Sequence, residues 1–151
     1  VYRFEAEDAT HASVFHQLEG FVAGETVTMA HLKWTLRAFL EHLFSPQISL
    51  RFRPSYFPFT EPSLETDLSC IHCAGKGCRT CTYTGWLEIL GAGMIHPNVL
   101  ANGGYNPKKI SGFAFGVGVE RLAMIKYQIS DVRIFLQNDP YFLGQFIGKL
   151  P

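Results

Sequence analysis

One stretch decides the fold of this chain: Ser111-Gly-Phe-Ala-Phe-Gly-Val-Gly-Val-Glu-Arg121. Its apolar first half is typical of a strand, and the residues from Val119 to Tyr127 continue as a helix. Gly116 and Gly118 stand between the two, where a missing side chain lets the backbone approach a bound phosphate or base. Arg121 falls on the first turn of the helix, so its guanidinium can meet an anion. A glycine turn that only packs a helix on a sheet has the same pattern, so the interpretation depends on the rest of the chain.

The composition indicates one folded domain that does not cross a membrane. With 151 residues, of which 47% are hydrophobic and 14% aromatic, the chain can bury a sizeable core. Its 13 basic and 13 acidic residues cancel, so most phosphate contacts of an RNA partner would have to be made elsewhere. No apolar run is long enough to span a bilayer and no signal peptide heads the chain, so we expect a cytoplasmic protein. The opening residues, Val1-Tyr-Arg-Phe-Glu5, are typical of mid-strand, and we expect the N-terminus to lie within a longer protein.

Turns and hairpins, rather than crossover helices, link most of the predicted strands. We therefore expect an α+β fold, an antiparallel β-sheet flanked by helices. A helix that begins after its cap, Thr28, should run to about Phe44 and bury a leucine-rich face. The proline-rich aromatic segment over 54–62 should be irregular, because proline donates no ladder hydrogen bond. The other predicted segments are strands over 1–6, 14–22, 48–53, 64–68 and 85–94, an irregular segment over 96–107, and a helical region over 130–146 that Pro140 interrupts.

Charged and polar side chains follow the first predicted hairpin, on one face of each strand. Arg3 and Glu5 share a parity on the outgoing strand, and Gln17 and Glu19 share one on the returning strand. Phe15 offers a ring on which a base can stack, and Arg121, on the helix that follows Gly116 and Gly118, offers a guanidinium. Together these side chains could bind an anion, an ammonium group and a flat base. Phosphoryl and nucleotidyl transfer need such a surface, because their catalysis is mostly positioning and charge stabilisation. A solvated sheet edge is the alternative for the hairpin alone.

All four cysteines lie within twelve residues, as Cys70-x2-Cys73 and Cys78-x2-Cys81 with four residues between the pairs. Four thiolates so spaced can surround a zinc ion tetrahedrally, and with no position left for water the site would be structural. The clustering favours a metal site in a reducing compartment over disulfides spread through the fold. Reduced thiols without metal are the alternative. We expect one domain over 1–151 that carries this cysteine loop, 70–81, as an insertion.

Several stretches of the chain carry a resemblance to the class II aminoacyl-tRNA synthetases. Motif 2 of that class is similar to Tyr2-Arg-Phe-Glu with Phe15-His-Gln-Leu-Glu-Gly, and motif 3 is similar to Gly112-Phe-Ala-Phe-Gly-Val-Gly-Val-Glu-Arg121. The resemblance narrows to the catalytic α subunits of bacterial phenylalanyl-tRNA synthetases through Arg53-Pro-Ser-Tyr-Phe-Pro-Phe-Thr-Glu-Pro62 and Gly91-Ala-Gly-Met-Ile-His-Pro97. It covers nearly the whole chain apart from the cysteine loop. Motif 1, which builds the dimer interface in this class, is absent from these residues.

The resemblance implies an enzyme that activates L-phenylalanine with ATP and Mg²⁺. The amino-acid carboxylate would attack the α-phosphate of ATP, pyrophosphate would leave, and the acyl group would pass from the adenylate to tRNA(Phe). By motif position, Arg3 would neutralise the α-phosphate, Phe15 would stack on adenine, and Arg121 would cover its other face and reach the γ-phosphate. His11 would contact the distal phosphates. The full set of residues implied to bind ATP is Arg3, Glu5, His11, Phe15, Gly116, Gly118 and Arg121, of which Arg3 and Arg121 would be catalytic.

The amino-acid pocket is implied in the same way. Phe57 and Phe59 would pack edge-to-face with the substrate ring, and aromatic residues of an ordinary core are the alternative. The methyl group of Ala114 would sit at the far end of that ring and crowd a para substituent, which would reject tyrosine. Glu5, Gln17 and Glu19 would orient the nucleotide or the substrate ammonium, and the sequence does not divide these roles among them.

The resemblance also implies partners, and it leaves two rival interpretations. The family works as a heterotetramer of two α and two β subunits, in which the β subunit supplies tRNA binding and editing. We therefore expect this chain alone to be nearly inactive. One rival is a synthetase-like sheet that no longer catalyses and serves as a zinc-stapled binding module. The other is a class II ligase for a different amino acid, against which Phe57, Phe59 and Ala114 argue.

Overall fold

The computed structural model of the chain describes residues 1–4 and 6–148. Contacts between α-carbons divide the chain into two compact units. The central unit spans Leu18–Val117, and the terminal unit combines Val1–Gln17 with Gly118–Pro151. The expectation of one domain with a cysteine insertion stays a prediction. None of the helices among the described residues has the length and apolarity that crossing a bilayer requires.

A five-stranded sheet forms the framework of the central unit. Its strands are β1 (Gln17–Gly24), β2 (Leu50–Phe57), β3 (Thr60–Ser69), β4 (Trp86–Ile95) and β5 (Ser111–Gly118). They lie in the order β1-β5-β4-β3-β2, so that β1 and β2 are the two edges. Neighbouring strands from β2 through β3 and β4 to β5 pair antiparallel.

Helices and short 3-10 turns occupy the connections of this chain. The α-helices are α1 (Met29–Leu43), α2 (Pro97–Asn102), α3 (Val119–Tyr127) and α4 (Pro140–Gly144), and the 3-10 turns are Arg79–Cys81 and Val132–Phe135. The α+β class, with an antiparallel sheet and helices beside it, is confirmed. The passage from β5 into α3 falls at the glycines where the sequence predicts it.

Helix α1 begins and packs as the sequence predicts. Thr28 caps it, because the backbone N–H of His31 donates to Thr28 Oγ1 while the N–H of Thr28 donates to Nδ1 of His31. Leu32, Leu36 and Leu40 repeat at helical spacing and are fully buried. Within the central unit, the helix therefore packs on the sheet through one leucine-lined face, in contact with β4.

The proline-rich segment forms a hairpin, so the prediction of an irregular segment is wrong. β2 continues to Phe57 and β3 begins at Thr60, which leaves only two residues to turn the chain. Pro54 lies inside β2, where it pairs with Leu64 of β3. Because β2 is an edge strand, a proline can turn its nitrogen toward solvent there without costing a ladder hydrogen bond.

The first predicted strand, in the terminal unit, is much shorter than the sequence suggests. Tyr2 and Val14 form one isolated antiparallel bridge. The backbone N–H of Arg3 donates to the carbonyl oxygen of Ser13 at 2.9 Å, so the two segments still run beside each other. A two-stranded ribbon has little to stabilise it, which accounts for the short ladder.

Short helices and an apolar cluster complete the terminal unit. Pro140 begins α4 instead of interrupting a helix, because Asp139 caps the N-terminus by accepting the backbone N–H of Tyr141 at 2.8 Å. In the central unit, α2 likewise forms within the segment predicted to be irregular. The buried apolar cluster of the terminal unit consists of Ala12, Met124 and Val132, with Ile129 and Phe135 packed against it.

Asp67 anchors the edge strand β2 to β3 through a buried carboxylate. Only 1% of the residue is exposed. Arg51 donates to Asp67 Oδ2 from Nε at 2.9 Å, and Arg53 donates to the two oxygens from Nε at 2.7 Å and Nη2 at 3.0 Å. Burial by itself raises the pKa of the Asp67 carboxyl, but the hydrogen bonds from Arg53 and Arg51 outweigh it and hold that pKa below its ordinary value. The charged carboxylate therefore stabilises the folded chain at neutral pH.

Replacing Asp67 by asparagine should lower the free energy of unfolding by about 2–3 kcal/mol at pH 7, because two guanidiniums lose a charged acceptor. The folded-state pKa lies below the ordinary 3.8, so this stabilisation is present above that pH and is lost as the pH falls through the folded value. Urea unfolding at pH 7 and at about pH 3 measures the effect, and the gap between parent and variant should narrow at the lower pH.

Glu41→Gln is the matched control for Asp67→Asn. Glu41 accepts from Arg37 at 3.1 Å, one turn away on the surface of α1. Loss of such a surface ion pair should cost less than about 1 kcal/mol. Equal costs for the two substitutions would contradict the anchoring role of Asp67.

Candidate active site

Arg3 and Phe15 contact each other in the terminal unit. The guanidinium carbon of Arg3 lies 5.2 Å from the centroid of the Phe15 ring, within the range of a cation–π contact. Nη2 of Arg3 also donates to Oε1 of Gln17 at 3.3 Å. The hairpin thus brings together a guanidinium, an aromatic ring and an amide.

Gly118 separates Phe15 from Arg121 at the point where β5 passes into α3. The carbon of a methyl group built on Gly118 would lie 3.9 Å from Cδ2 of Phe15 and 3.7 Å from Cβ of Arg121. Both residues therefore border the same small volume beside a stretch of bare backbone. Arg3 therefore contacts the Phe15 ring, and Cβ of Arg121 borders the same small volume as that ring.

His11 lies on the polar loop of the hairpin and is tied to Asp8. Oδ1 of Asp8 accepts the backbone N–H of Thr10 at 2.6 Å and that of His11 at 2.8 Å, and Nδ1 of His11 lies 3.1 Å from the same oxygen. These hydrogen bonds, above all the one from the Thr10 backbone, hold the pKa of Asp8 far below its ordinary value. The loop therefore presents an exposed imidazole beside a charged carboxylate. Glu5 lies outside the described residues.

Two glycines of the central unit form a floor without side chains. Gly91 of β4 and Gly116 of β5 are direct partners across the ladder, so side chains at these positions would project from the same face. A methyl carbon on Gly116 would lie 2.6 Å from Oε1 of Glu19, and one on Gly91 would lie 2.8 Å from Cζ of Phe57. The Glu19 carboxylate and the Phe57 ring therefore stand side by side over one sheet face. The sequence predicts an ATP-binding role for Gly116, and the structure places Glu19 against it.

The two phenylalanines of the proline-rich hairpin stack on each other. The ring centroids of Phe57 and Phe59 are 5.9 Å apart and the planes differ by 9°. Phe59 is more than half exposed, so the pair is not part of a closed core. The backbone N–H of Phe57 donates to Oγ of the buried Ser63 at 3.1 Å, which fixes the chain beneath the first ring. Ala114 lies two residues before Gly116 in β5 and therefore on the glycine face.

The sequence alone does not predict that Gly91 and the polar residues beside it lie in the candidate site. Glu65 is the partner of Gly91 on β3, and its carboxylate accepts from Nη2 of Arg53 at 2.7 Å and from Oγ of Ser55 at 2.9 Å. Part of the signal is present in the sequence, because Arg53, Ser55 and Phe57 alternate along one strand and share a face. The strand register that brings Glu65 and Gly91 beside these residues cannot be inferred from the sequence.

The cysteine loop gathers its sulfur atoms into one cluster. The four Sγ atoms all lie within 4.8 Å of one another. Three separations, Cys70–Cys78, Cys73–Cys81 and Cys78–Cys81, are 3.8 Å. That distance is about the edge of a tetrahedron whose metal–sulfur bonds are about 2.3 Å long. The donor set therefore fits a Zn²⁺ ion and leaves no ligand position for water.

Backbone N–H groups point at the sulfur atoms of this cluster. The N–H of Gly77 donates to Sγ of Cys73 at 3.1 Å, and that of Cys78 donates to Sγ of Cys81 at 3.1 Å. Backbone hydrogen bonds, that of Cys81 first, lower the pKa of Cys78, whereas burial raises the pKa of Cys70. Gly77 has a φ of 94°, the left-handed conformation expected of a glycine in a tight turn.

The chain matches the family described as tRNA synthetases class II core domain (F) over residues 1–146. It belongs to this class II family. Among curated proteins it is 58% identical over 146 residues to the phenylalanine–tRNA ligase alpha subunit of Syntrophomonas wolfei, and 60% identical to that of Moorella thermoacetica. Both alignments cover 97% of this chain and 43% of the relative, so the chain spans less than half the length of these curated relatives.

A solved structure shows the same class II fold. The chain superimposes on a pyrrolysyl-tRNA synthetase from Desulfitobacterium hafniense with a TM-score of 0.52 and 21% sequence identity. The match covers 87% of this chain and 41% of that one. At this identity the likeness shows the fold alone. It agrees with the antiparallel sheet and its helices, and the roles of individual site residues stay predictions.

Proposed function

We propose that this chain is part of a phenylalanine–tRNA ligase α subunit, which activates L-phenylalanine with ATP and transfers it to tRNA(Phe). The observation that carries the proposal is the pair Gly91 and Gly116, over which the Glu19 carboxylate and the Phe57 ring stand side by side. Phenylalanine has the complementary pair of groups, an ammonium and an apolar ring. The names of the curated relatives agree with this chemistry.

The amino acid would bind over the glycine floor of the central unit. Glu19 would accept a charge-assisted hydrogen bond from the ammonium. The stacked rings of Phe57 and Phe59 would contact the phenyl group, and each aromatic pair adds about 0.5–1.5 kcal/mol beyond area burial. Ala114 would close the far end of the ring. The absence of side chains at the floor leaves the space that the Glu19 carboxylate and the Phe57 ring occupy, and the substrate would bind against these two groups.

The nucleotide would bind in the terminal unit, beside Phe15. In the reaction the amino-acid carboxylate attacks the α-phosphorus of ATP, the bond from that phosphorus to the bridging oxygen breaks, and pyrophosphate leaves with Mg²⁺. Arg3 would stabilise the charge that develops on the α-phosphate, and Arg121 would cover the face of adenine opposite Phe15 and reach the γ-phosphate. Stacking of adenine on Phe15 would add about 1–3 kcal/mol. His11 is proposed to contact the distal phosphates.

The remaining roles concern orientation and partners. Gln17, which accepts from Arg3, is proposed to orient the substrates. The activity is proposed for the complete α subunit, because the chain covers only 43% of the relatives' length. That subunit is proposed to work in a heterotetramer of two α and two β subunits. The reduced cysteine cluster fits a cytoplasmic location.

Phenylalanine-dependent exchange of pyrophosphate into ATP, by the complete α subunit with its β partner, tests the proposal. The parent enzyme should exchange. Gly116→Ala should raise the KM for phenylalanine by about tenfold, because the new methyl group displaces the Glu19 carboxylate from its ammonium contact.

Gly24→Ala is the matched control, since Gly24 lies on the same strand as Glu19. A methyl carbon there would lie 3.4 Å from Cγ2 of Val27, an ordinary contact, and the KM should not change. A parent that binds its β partner but shows no exchange would contradict the ligase and favour a non-catalytic binding module.

Ala114→Gly should relax selectivity toward para-halogenated phenylalanines, because it removes the methyl group at the far end of the substrate ring. The ratio of kcat/KM for para-chlorophenylalanine over phenylalanine, in adenylate formation, should rise by about tenfold. Ala92→Gly changes a buried alanine on the opposite face of β4 and should leave the ratio unchanged. Equal discrimination by Ala114→Gly and parent would remove this role from Ala114.

We also propose that Cys70, Cys73, Cys78 and Cys81 hold a structural zinc ion. Protein purified without chelator should contain about one zinc per chain by atomic emission, and Cys78→Ser should lose most of it. His72→Ala is the control, because His72 is an exposed residue of the same loop and lies outside the sulfur cluster. Parent protein without zinc, or loss of zinc from His72→Ala, would overturn the four-cysteine assignment.

A further inference from the structure

Glu120 joins the start of helix α3 to the hairpin within the terminal unit. The residue is only 7% exposed, although it carries a carboxylate. Its two oxygens accept the backbone N–H of His16 at 3.0 and 2.9 Å, and Oε1 also lies 2.7 Å from Nδ1 of the same histidine. A buried carboxylate is tolerated only when hydrogen bonds replace its lost hydration, and His16 supplies them.

A second hydrogen bond runs between the same two segments. The backbone N–H of Val119 donates to the carbonyl oxygen of His16 at 2.9 Å. Both backbone groups of His16 are therefore tied to consecutive residues of α3, Val119 and Glu120. Two such bonds fix the distance between the segments and also their rotation.

The residues so fixed are those that border Gly118. Phe15 and Gln17 flank His16 in the hairpin, and Arg121 follows Glu120 in the helix. Phe15 and Arg121 lie 3.9 and 3.7 Å from the same point beside Gly118, so a small slip of one segment along the other would change the gap between them.

We propose that Glu120 is a positioning residue for ATP: through the backbone of His16 it sets the gap between the Phe15 ring and Arg121 in which the nucleotide base lies. The inference rests on the proposed function and adds a residue that contacts no substrate. The imidazole of His16 contributes little, because 78% of that side chain is exposed, whereas the backbone N–H is the donor that the buried carboxylate requires.

Steady-state kinetics of ATP–pyrophosphate exchange, with the complete α subunit and its β partner, separates positioning from general destabilisation. Glu120→Gln keeps the size of the side chain but replaces one acceptor oxygen by an NH₂ group that faces the His16 N–H. It should raise the KM for ATP by about tenfold and leave the KM for phenylalanine within about twofold. Glu120→Ala should raise the KM for ATP further.

His16→Ala is the matched control. It removes the exposed imidazole and keeps the backbone N–H and carbonyl that hold Glu120 and Val119, so both KM values should stay near those of the parent. A rise in the KM for ATP as large as that of Glu120→Gln would show that the imidazole ion pair, and not the backbone, carries the effect, and would overturn the inference.

The remaining outcomes are also decisive. A parent without exchange activity contradicts the proposed function itself. An active parent with an unchanged KM for ATP in Glu120→Gln overturns the positioning role alone. A fall in kcat with both KM values unchanged reports a loss of active enzyme, which a merely structural residue would also cause, and it too overturns the inference. If Glu120→Ala does not fold, the glutamine variant decides the question.

Discussion

A methyl group on Gly91 or Gly116 would collide with Phe57 or Glu19, and this exclusion of side chains shapes the face of the sheet on which the two glycines lie. The two glycines belong to β4 and β5, in the middle of the sheet, whereas Glu19 and Phe57 come from its edge strands. Each edge strand therefore sends one side chain inward over bare backbone. The Glu19 carboxylate and the Phe57 ring can lie this close to the backbone of β5 and β4 because Gly116 and Gly91 carry no side chains.

A side chain that reaches inward from an edge strand keeps a defined position over the floor only when that edge strand is itself held in place. On one side, the buried Asp67 holds Arg53, which in turn holds Glu65, the ladder partner of Gly91. The charges next to the floor are thus paired within the sheet face. On the other side, Oγ of Ser111 donates to the carbonyl oxygen of Val27 at 2.6 Å, which ties the chain after β1 to the start of β5. Both edges are held by polar contacts that lie outside the floor itself.

Local patterns predict the parts of this fold whose stability is local. The cap at Thr28, the leucine face of α1 and the passage from β5 into α3 each depend on residues within a few positions of one another, and each is found. The sulfur cluster follows from cysteine spacing for the same reason. Pro54 is misjudged because its tolerance depends on β2 being an edge, which is a property of strand order. The floor of Gly91 and Gly116 depends on register between strands distant in sequence, and no periodicity carries that information.

The position of the cysteine loop indicates what a bound metal ion could do for the sheet face that carries Gly91 and Gly116. The loop connects β3 to β4, and its base is closed by the backbone N–H of Cys70, which donates to the carbonyl oxygen of Gly85 at 2.8 Å. All four sulfur ligands lie within one short loop, so a zinc ion would close only a small ring, and its effect on chain entropy would be modest. Its effect on geometry would be larger, because Trp86 follows directly, lies 4.6 Å beneath the guanidinium of Arg51, and so touches the group that binds Asp67. A bound metal would therefore support the glycine face through the anchor of its edge strand.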